Sequence, residues 1–137
     1  MKKKSVKIKK PSINKLWKEC TELVKERDNN QCCICGQSGL LHVHHILPKE
    51  RFKDLRFELN NLIVLCPTHH MFSRWSAHKN GIFFSEWLKQ NRPNQYKYIQ
   101  ERVLVRLNNE HLNYLNNKDV SLINCSASSE DISMSSK

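Results

Sequence analysis

The sequence predicts a small α+β domain that is held together by bound metal and flanked by helices on both sides. Apolar residues recur at helical spacing in residues 12–28 and 81–123. Between them lie two short β-type runs, at 40–46 and 62–65, and pairs of Cys and His at the spacing of metal ligands. Only 39% of the 137 residues are hydrophobic, so a structural metal would add stability that a thin core lacks.

The amino-terminal part predicts a tail followed by a helix. Residues 1–11 are rich in Lys and form a basic, flexible tail in this interpretation. Ser12 can cap a helix over residues 12–28, and the Asp-Asn-Asn sequence at 28–30 ends it. The apolar face that should pack on the rest of the domain consists of Ile13, Leu16, Trp17, Cys20, Leu23 and Val24.

Residues 29–80 are predicted to form the core. A turn over 32–39 leads into the first strand, whose alternation places Val43 and His45 on one side and His42 and His44 on the other. After the second strand, Thr68 can cap a helix that runs to about residue 78, where Asn-Gly would stop it.

The carboxy-terminal part predicts a helical extension at 81–123 and then a tail. One helix should cover about 82–90, and a second should follow Pro93. Residues 124–137 are rich in Ser, and we expect them to be disordered. The aromatic residues Trp75, Phe83, Phe84 and Trp87 could pack in the core or stack on bases, and their spacing favours the core.

Two ligand pairs predict a structural zinc site. Cys32-x-x-Cys35 and Cys66-x-x-His69 each fit on a turn, and together they supply four ligands for a tetrahedral ion. Thiolate and imidazole ligands favour Zn²⁺ over a hard cation.

Two neighbouring residues are alternatives within this zinc site. Cys33 competes with Cys32, although the spacing to Cys35 favours Cys32. His70 could replace His69 as the fourth ligand.

The charge of the chain indicates the kind of partner it binds, and its cysteine content bears on its cellular compartment. The 23 Lys and Arg against 13 Asp and Glu give a formal charge of +10, which favours a nucleic acid as partner. No signal peptide or membrane-spanning stretch is visible, so we expect a cytoplasmic protein with reduced cysteines and no membrane partner.

Several polar residues remain unassigned once the zinc ligands are set aside. Three motifs follow one another in the chain: Cys32-x-x-Cys35, His44-His45-Ile46-x-Pro48 and Asn61-Leu62-x-x-Leu65-Cys66-x-x-His69-His70. In these motifs the chain resembles the HNH nuclease family, over about residues 28–80, and the resemblance implies the ββα-metal fold.

The resemblance implies a metal-dependent DNA endonuclease that hydrolyses phosphodiester bonds. His45 would be the general base, and Asn61 would orient it. His44 and His70 would hold a catalytic divalent metal, which would be Mg²⁺ or Mn²⁺, while Zn²⁺ would be structural. A site rich in histidine could also accept softer ions.

Physical chemistry supports these roles independently. A histidine with a pKa near neutrality can take a proton from water, and a divalent cation can neutralise charge at the phosphate. Because adjacent strand residues point in opposite directions, His44 and His45 can face one substrate only if the chain bends near Pro48. Asn60 competes with Asn61, but the Leu that follows Asn61 favours the latter.

Basic residues near this site are candidates for contacts with DNA phosphates: Lys49, Arg51, Arg56, Arg74 and His78. On a regular helix His78 would lie about 12 Å from His70, too far to share a metal. We therefore assign it to phosphate binding, and His42 to a structural role.

Two other functions fit part of the pattern. A zinc-stabilised DNA-binding module without catalysis would explain the charge and the ligand pairs, but not the adjacent histidines. An interaction protein in a phage packaging or recombination complex would use the zinc turn to bind a partner. Double-strand cutting would need a homodimer or a second site, and the family's usual settings suggest a phage origin.

Overall fold

We analysed a computed structural model of the chain, which describes residues 10–117. Nearly all of the predicted basic tail, the last part of the predicted helical extension and the whole Ser-rich tail lie outside these residues. The fold is α+β, as predicted. Its elements are helix α1 (Ile13–Arg27), strand β1 (His42–His45), strand β2 (Leu62–Leu65), a π-helical turn (Thr68–Phe72), helix α2 (Gly81–Asn91) and helix α3 (Pro93–Asn117). Single 3₁₀ turns cover Lys53–Leu55 and Leu59–Asn61.

Helix α1 begins and ends where local chemistry places its caps. The Ser12 hydroxyl accepts a hydrogen bond from the Lys15 amide at 3.3 Å, which satisfies one free donor of the first turn. After Asp28 the chain turns through Asn29 and Asn30, which have φ angles of 55° and 53°. Asparagine tolerates this left-handed region better than most residues.

The two strands form an antiparallel sheet in which His42 pairs with Leu65 and His45 with Leu62. Every residue of β2 is buried, because both faces of this strand are covered. Leu62 and Val64 pack against Val24 of α1. On the opposite face, a second cluster contains Ile63, Leu65, Cys32, Cys66, Phe84 and Leu88.

A buried carboxylate joins α1 to β2 and to Arg92, the residue between α2 and α3. Asp28 pairs with Arg27 at 2.8 Å and with Arg92 at 3.1 Å, and it accepts a hydrogen bond from the Val64 amide at 3.1 Å. Burial opposes ionisation of this carboxyl, but its hydrogen bonds and its pairing with Arg27 outweigh burial and lower the pKa of Asp28. The two arginines are partly exposed, so the charges stay solvated on one side.

The predicted helix over 68–78 is wrong beyond its first turn. The chain leaves helical geometry at Ser73, whose ψ is 149° and whose hydroxyl accepts a hydrogen bond from the Trp75 amide at 3.1 Å. Asn80 does not end a helix but caps α2, because its side chain accepts from the Phe83 amide at 2.9 Å. Residues 73–79 therefore form a series of turns.

The chain divides into two compact units, with the boundary after Arg102. The first contains α1, the sheet, α2 and the start of α3. In the second, the described residues are 103–117, the helical remainder of α3, where Arg106 and Glu110 form an ion pair at 3.1 Å. Among the described residues, no helix has the length and apolar character needed to cross a membrane.

Candidate metal centres

The two predicted ligand pairs come together as one group that could hold a metal ion. Cys32 and Cys35 lie on the turn before the sheet, Cys66 follows β2, and His69 lies in the π-helical turn. The Sγ atoms of Cys35 and Cys66 are 3.9 Å apart, and His69 Nδ1 lies 3.2 Å from Cys66 Sγ and 3.7 Å from Cys32 Sγ. Thiolates in a tetrahedral zinc site are separated by about 3.8 Å, so the geometry fits such an ion.

Neither of the alternative ligands takes part in this group. Cys33 Sγ instead accepts a hydrogen bond from Arg92 at 3.0 Å, and burial followed by the charge of Asp28 raises the pKa of its thiol to about 12. A thiol that stays protonated is a poor metal ligand. His70 lies in a second group of histidines.

The second group that could hold a metal consists of His44, His70 and His78. Nε2 of His70 and Nε2 of His78 are 3.1 Å apart. The His44 ring centroid lies 5.1 Å from that of His70 and 4.9 Å from that of His78. Three imidazoles that converge in this way leave further coordination positions for water or substrate.

His78 reaches this group because the expected continuous helix is absent. The chain folds back, so the Ala77 amide donates to the His69 carbonyl at 2.8 Å and the His78 amide to the His70 carbonyl at 3.3 Å. The expected separation of His70 and His78 along a helix axis was therefore wrong.

Burial lowers the pKa of two of these imidazoles, His44 and His70. His44 is only 8% exposed, and burial, followed by the nearby His70 and His78, lowers its pKa to about 3. Burial also lowers the pKa of His70 to about 4, with His78 and His42 adding to the effect. Since a metal binds only the neutral form, both side chains are ready to bind one at neutral pH.

His42 contacts the group from outside. Its Nδ1 lies 2.9 Å from Nδ1 of His70, so one of these two nitrogens donates to the other. His70 is thereby held at Nδ1 by His42, which leaves its Nε2, 3.1 Å from His78 Nε2, as the atom that could bind a metal. Such an outer contact fixes the orientation of a metal-binding ring. A structural role was predicted for His42, and strand alternation places it on the same side of β1 as His44.

His45 lies on the opposite side of β1 from His44 and is not part of the histidine group. Its Nε2 donates a hydrogen bond to the Arg56 carbonyl at 3.0 Å, because a carbonyl can only accept. Its ring stacks on Trp17 with centroids 5.0 Å apart and an interplanar angle of 10°. Burial lowers the pKa of His45. The ring is thus held on one face and at one nitrogen, and Nδ1 carries the lone pair.

The strand ends at His45, and the chain bends at the next two residues. A bend in this region is what His44 and His45 need if both are to act on one substrate, because adjacent strand residues point in opposite directions. The bend lies before Pro48.

Asn61 is fully buried and holds the loop beside His45. Its Oδ1 accepts from the Leu47 amide at 2.7 Å, and its Nδ2 donates to the carbonyls of Leu47 and Leu55, each at 3.1 Å. Leu55 directly precedes Arg56, whose carbonyl contacts His45. The neighbouring Asn60 is exposed.

The candidate DNA contacts lie at the surface of the first unit. Lys49, Arg51 and Arg74 are exposed, and Arg56 is half-buried. The guanidinium of Arg74 lies 5.3 Å from the centroid of the Trp75 ring, and that of Arg56 lies 5.6 Å from the Phe57 ring.

The core role predicted for Trp75 and Phe83 is wrong. These side chains are 46% and 37% exposed, whereas Phe84 is buried and Trp87 is half-buried. Helix α2 buries the stripe formed by Phe84 and Leu88, and Phe83 lies about 100° away from Phe84 around the helix.

Comparison with known proteins adds one finding. Residues 32–88 match a family model described as HNH endonuclease, which confirms the resemblance. The matched residues include both groups that could hold a metal, while α1 and the whole of α3 lie outside the match. Neither the curated proteins nor the solved structures gave a match.

Proposed function

We propose, from the match of residues 32–88 to the HNH endonuclease family, that this chain is a metal-dependent DNA endonuclease. One observation carries the proposal. His44, His70 and His78 converge on a group that could hold a metal, and the next residue after His44 is a second histidine with its own hydrogen bond and its own stacking partner.

The two groups would hold different metals. Zn²⁺ would bind Cys32, Cys35, Cys66 and His69 and stabilise the fold. A catalytic divalent cation would bind the three histidines, and when bound it would neutralise charge on the phosphate and on the leaving oxygen. Because nitrogen ligands favour transition ions over Mg²⁺, we expect Mn²⁺ or a later first-row ion to support activity better than Mg²⁺.

His45 would act as the general base. Its Nε2–H is committed to the Arg56 carbonyl, so Nδ1 is the atom that can take a proton from the attacking water. The lowered pKa keeps this nitrogen unprotonated at neutral pH. Activity should therefore persist into mildly acidic pH and fall only where His45 becomes protonated.

The basic surface would bind the DNA backbone. Lys49, Arg51 and Arg74 are exposed in the same unit as the histidine group, and the whole chain carries a formal charge of +10. Contacts of this kind make affinity fall as salt rises. His78 would serve as a metal ligand and would not be needed as a phosphate contact.

The test is plasmid nicking in a series of divalent metals by the wild type and by His45→Ala. We expect the variant to lose about 10²–10⁴-fold in rate while its DNA affinity stays unchanged, because only proton transfer is removed. His111→Ala changes an exposed histidine on α3 and is the matched control. If the wild type binds DNA but does not nick it in any of the metals, the proposal is refuted. That result would favour a non-catalytic, zinc-stabilised binding module.

A second prediction concerns Trp17, which lies on α1 outside the family match and stacks on His45. Trp17→Leu should lower the nicking rate about tenfold or more, since a base that is free to rotate loses its alignment. Trp17→Phe should restore most of the rate because it keeps a flat ring. Single-turnover kinetics would measure the loss, alongside DNA and metal affinity.

Leu23→Ala on the exposed part of α1 controls for general effects on the helix. If Trp17→Leu is as active as the wild type when equally folded, the stacking contact has no positioning role.

A further inference from the structure

We propose that residues 71–77, which form a loop closed by the histidine group, bind unpaired nucleobases of the DNA beside the cleavage point. We call these residues the histidine-closed loop. The inference rests on the proposed function and adds a substrate class, namely DNA that is single-stranded or branched at the site of cleavage.

The loop starts and ends at the histidine group. His70 precedes it and His78 follows it, and their Nε2 atoms are 3.1 Å apart. The backbone closes the same junction through the hydrogen bonds from Ala77 to His69 and from His78 to His70. Anything bound by the loop would therefore lie next to a metal held by these histidines.

Hydrogen bonds within the loop and to the residues on either side of it hold the loop in one shape. The Ser73 amide donates to the Thr68 carbonyl at 2.9 Å, and the Ser76 amide donates to the Ser73 carbonyl at 3.0 Å. Lys79 Nζ donates to the Phe72 carbonyl at 2.9 Å. A loop that is ordered before binding loses little conformational entropy when a ligand contacts it.

The side chains that this ordered loop presents are unusually apolar for a surface. Met71 and Trp75 are each 46% exposed, and Phe72 is 69% exposed. Phe83 of α2 extends the patch, because its ring centroid lies 5.3 Å from that of Trp75. Clustered exposed rings next to a candidate site indicate a binding surface, since they contribute little to the core.

The charge of the patch points to nucleic acid as the occupant. Arg74 lies over the Trp75 ring at 5.3 Å, and Lys79 follows the loop. Residues 71–83 contain no Asp or Glu. Rings interleaved with cations match the alternation of bases and phosphates in a single strand.

Unpaired bases fit this patch better than a duplex does. In a duplex the faces of the bases are stacked on one another, so only base edges and phosphates can be reached. An unpaired base presents its π-face, and stacking on an aromatic side chain is tolerant of sequence. Phe72 and Trp75 are the rings we expect to make this contact.

The experiment compares three DNA probes of one sequence: a duplex, a single strand and a fork with unpaired arms. Binding is measured by fluorescence anisotropy without divalent metal, and cleavage is measured with Mn²⁺. We expect the wild type to prefer the single strand and the fork over the duplex by about tenfold or more. Trp75→Ala should lose most of this preference, and Trp75→Phe should retain it. Leu40→Ala, which removes a 70% exposed aliphatic side chain outside the loop, is the matched control.

Different outcomes separate this inference from the proposed function. If no probe is cut but Trp75→Ala still abolishes a preference for unpaired DNA, the endonuclease proposal fails and the base-binding inference is supported. If Trp75→Ala weakens all three probes equally, or changes only self-association in sedimentation, the inference is overturned. In the second case the patch is a protein interface.

Discussion

Removal of the metal ion proposed to bind Cys32, Cys35, Cys66 and His69 should unfold the unit that contains α1, the sheet and α2. Cys32 and Cys66 belong to the buried cluster around Ile63 and Leu65, so this group is part of the core itself. A structural zinc site contributes about 10–16 kcal/mol, whereas a whole domain of this kind is stable by only about 5–15 kcal/mol. Without the ion, the remaining core is too small to compensate.

The prediction can be measured by circular dichroism while a strong chelator is titrated in, with released zinc followed by a chromogenic dye. Loss of helical signal should parallel zinc release, and Cys66→Ser should be unfolded without treatment. Cys33→Ser is the matched control, because Cys33 is the neighbouring thiol outside the group and a hydroxyl can also accept from Arg92. A folded Cys66→Ser protein of normal stability and zinc content would contradict the assignment.

Asn61→Ala should cost about 3–5 kcal/mol of folding free energy. The substitution removes three buried hydrogen bonds. The Leu47 amide and the Leu47 carbonyl lose their partner, whereas the Leu55 carbonyl still accepts from the Glu58 amide at 3.3 Å. Each buried polar group that loses its partner costs about 1–3 kcal/mol. The activity of the folded fraction should also fall, because the Arg56 carbonyl that holds His45 follows directly after Leu55.

Asn60→Ala provides the comparison, since it removes the same side chain from an exposed neighbouring position. Urea denaturation of both variants, with nicking rates measured well below the transition, separates stability from positioning. Similar unfolding midpoints for Asn60→Ala and Asn61→Ala would refute the prediction.

Features governed by local chemistry could be predicted from the sequence. The Ser12 cap, the short second strand and the alternation of His42 and His44 against Val43 all depend on residues close together in the chain. Spacing also predicted the pairs Cys32/Cys35 and Cys66/His69, although it left His70 as an alternative to His69. Within each pair, the cause lies within a few residues.

The segment after Phe72 could not be predicted in this way. His70, Arg74 and His78 have helical spacing, but hydrogen bonds from Ala77 and His78 back to the start of the segment override that pattern. Ser73 and Ser76 were the available signal, because serine hydroxyls compete for backbone hydrogen bonds inside helices. That signal indicates that the helix stops early, but it does not place His78 beside His70, because the return of the chain depends on the hydrogen bonds from Ala77 and His78.

Contacts between distant elements account for the rest of the site. Trp17 and His45 are separated by 28 positions in the chain, and only the packing of α1 on the sheet brings their rings together. His42 and His70 are also brought together by packing between distant parts of the chain, which the spacing of residues within one helix or strand cannot predict.

The buried Asp28 carboxylate has a consequence for how the segment that matches the HNH family model can be shortened or exchanged between proteins. Its arginine partners, at positions 27 and 92, lie on either side of the family match at 32–88. A fragment trimmed to that match would expose Leu62 and Val64 and lose the tryptophan behind His45. Any graft or recombination event that preserves the fold must therefore carry both flanks along with the matched segment.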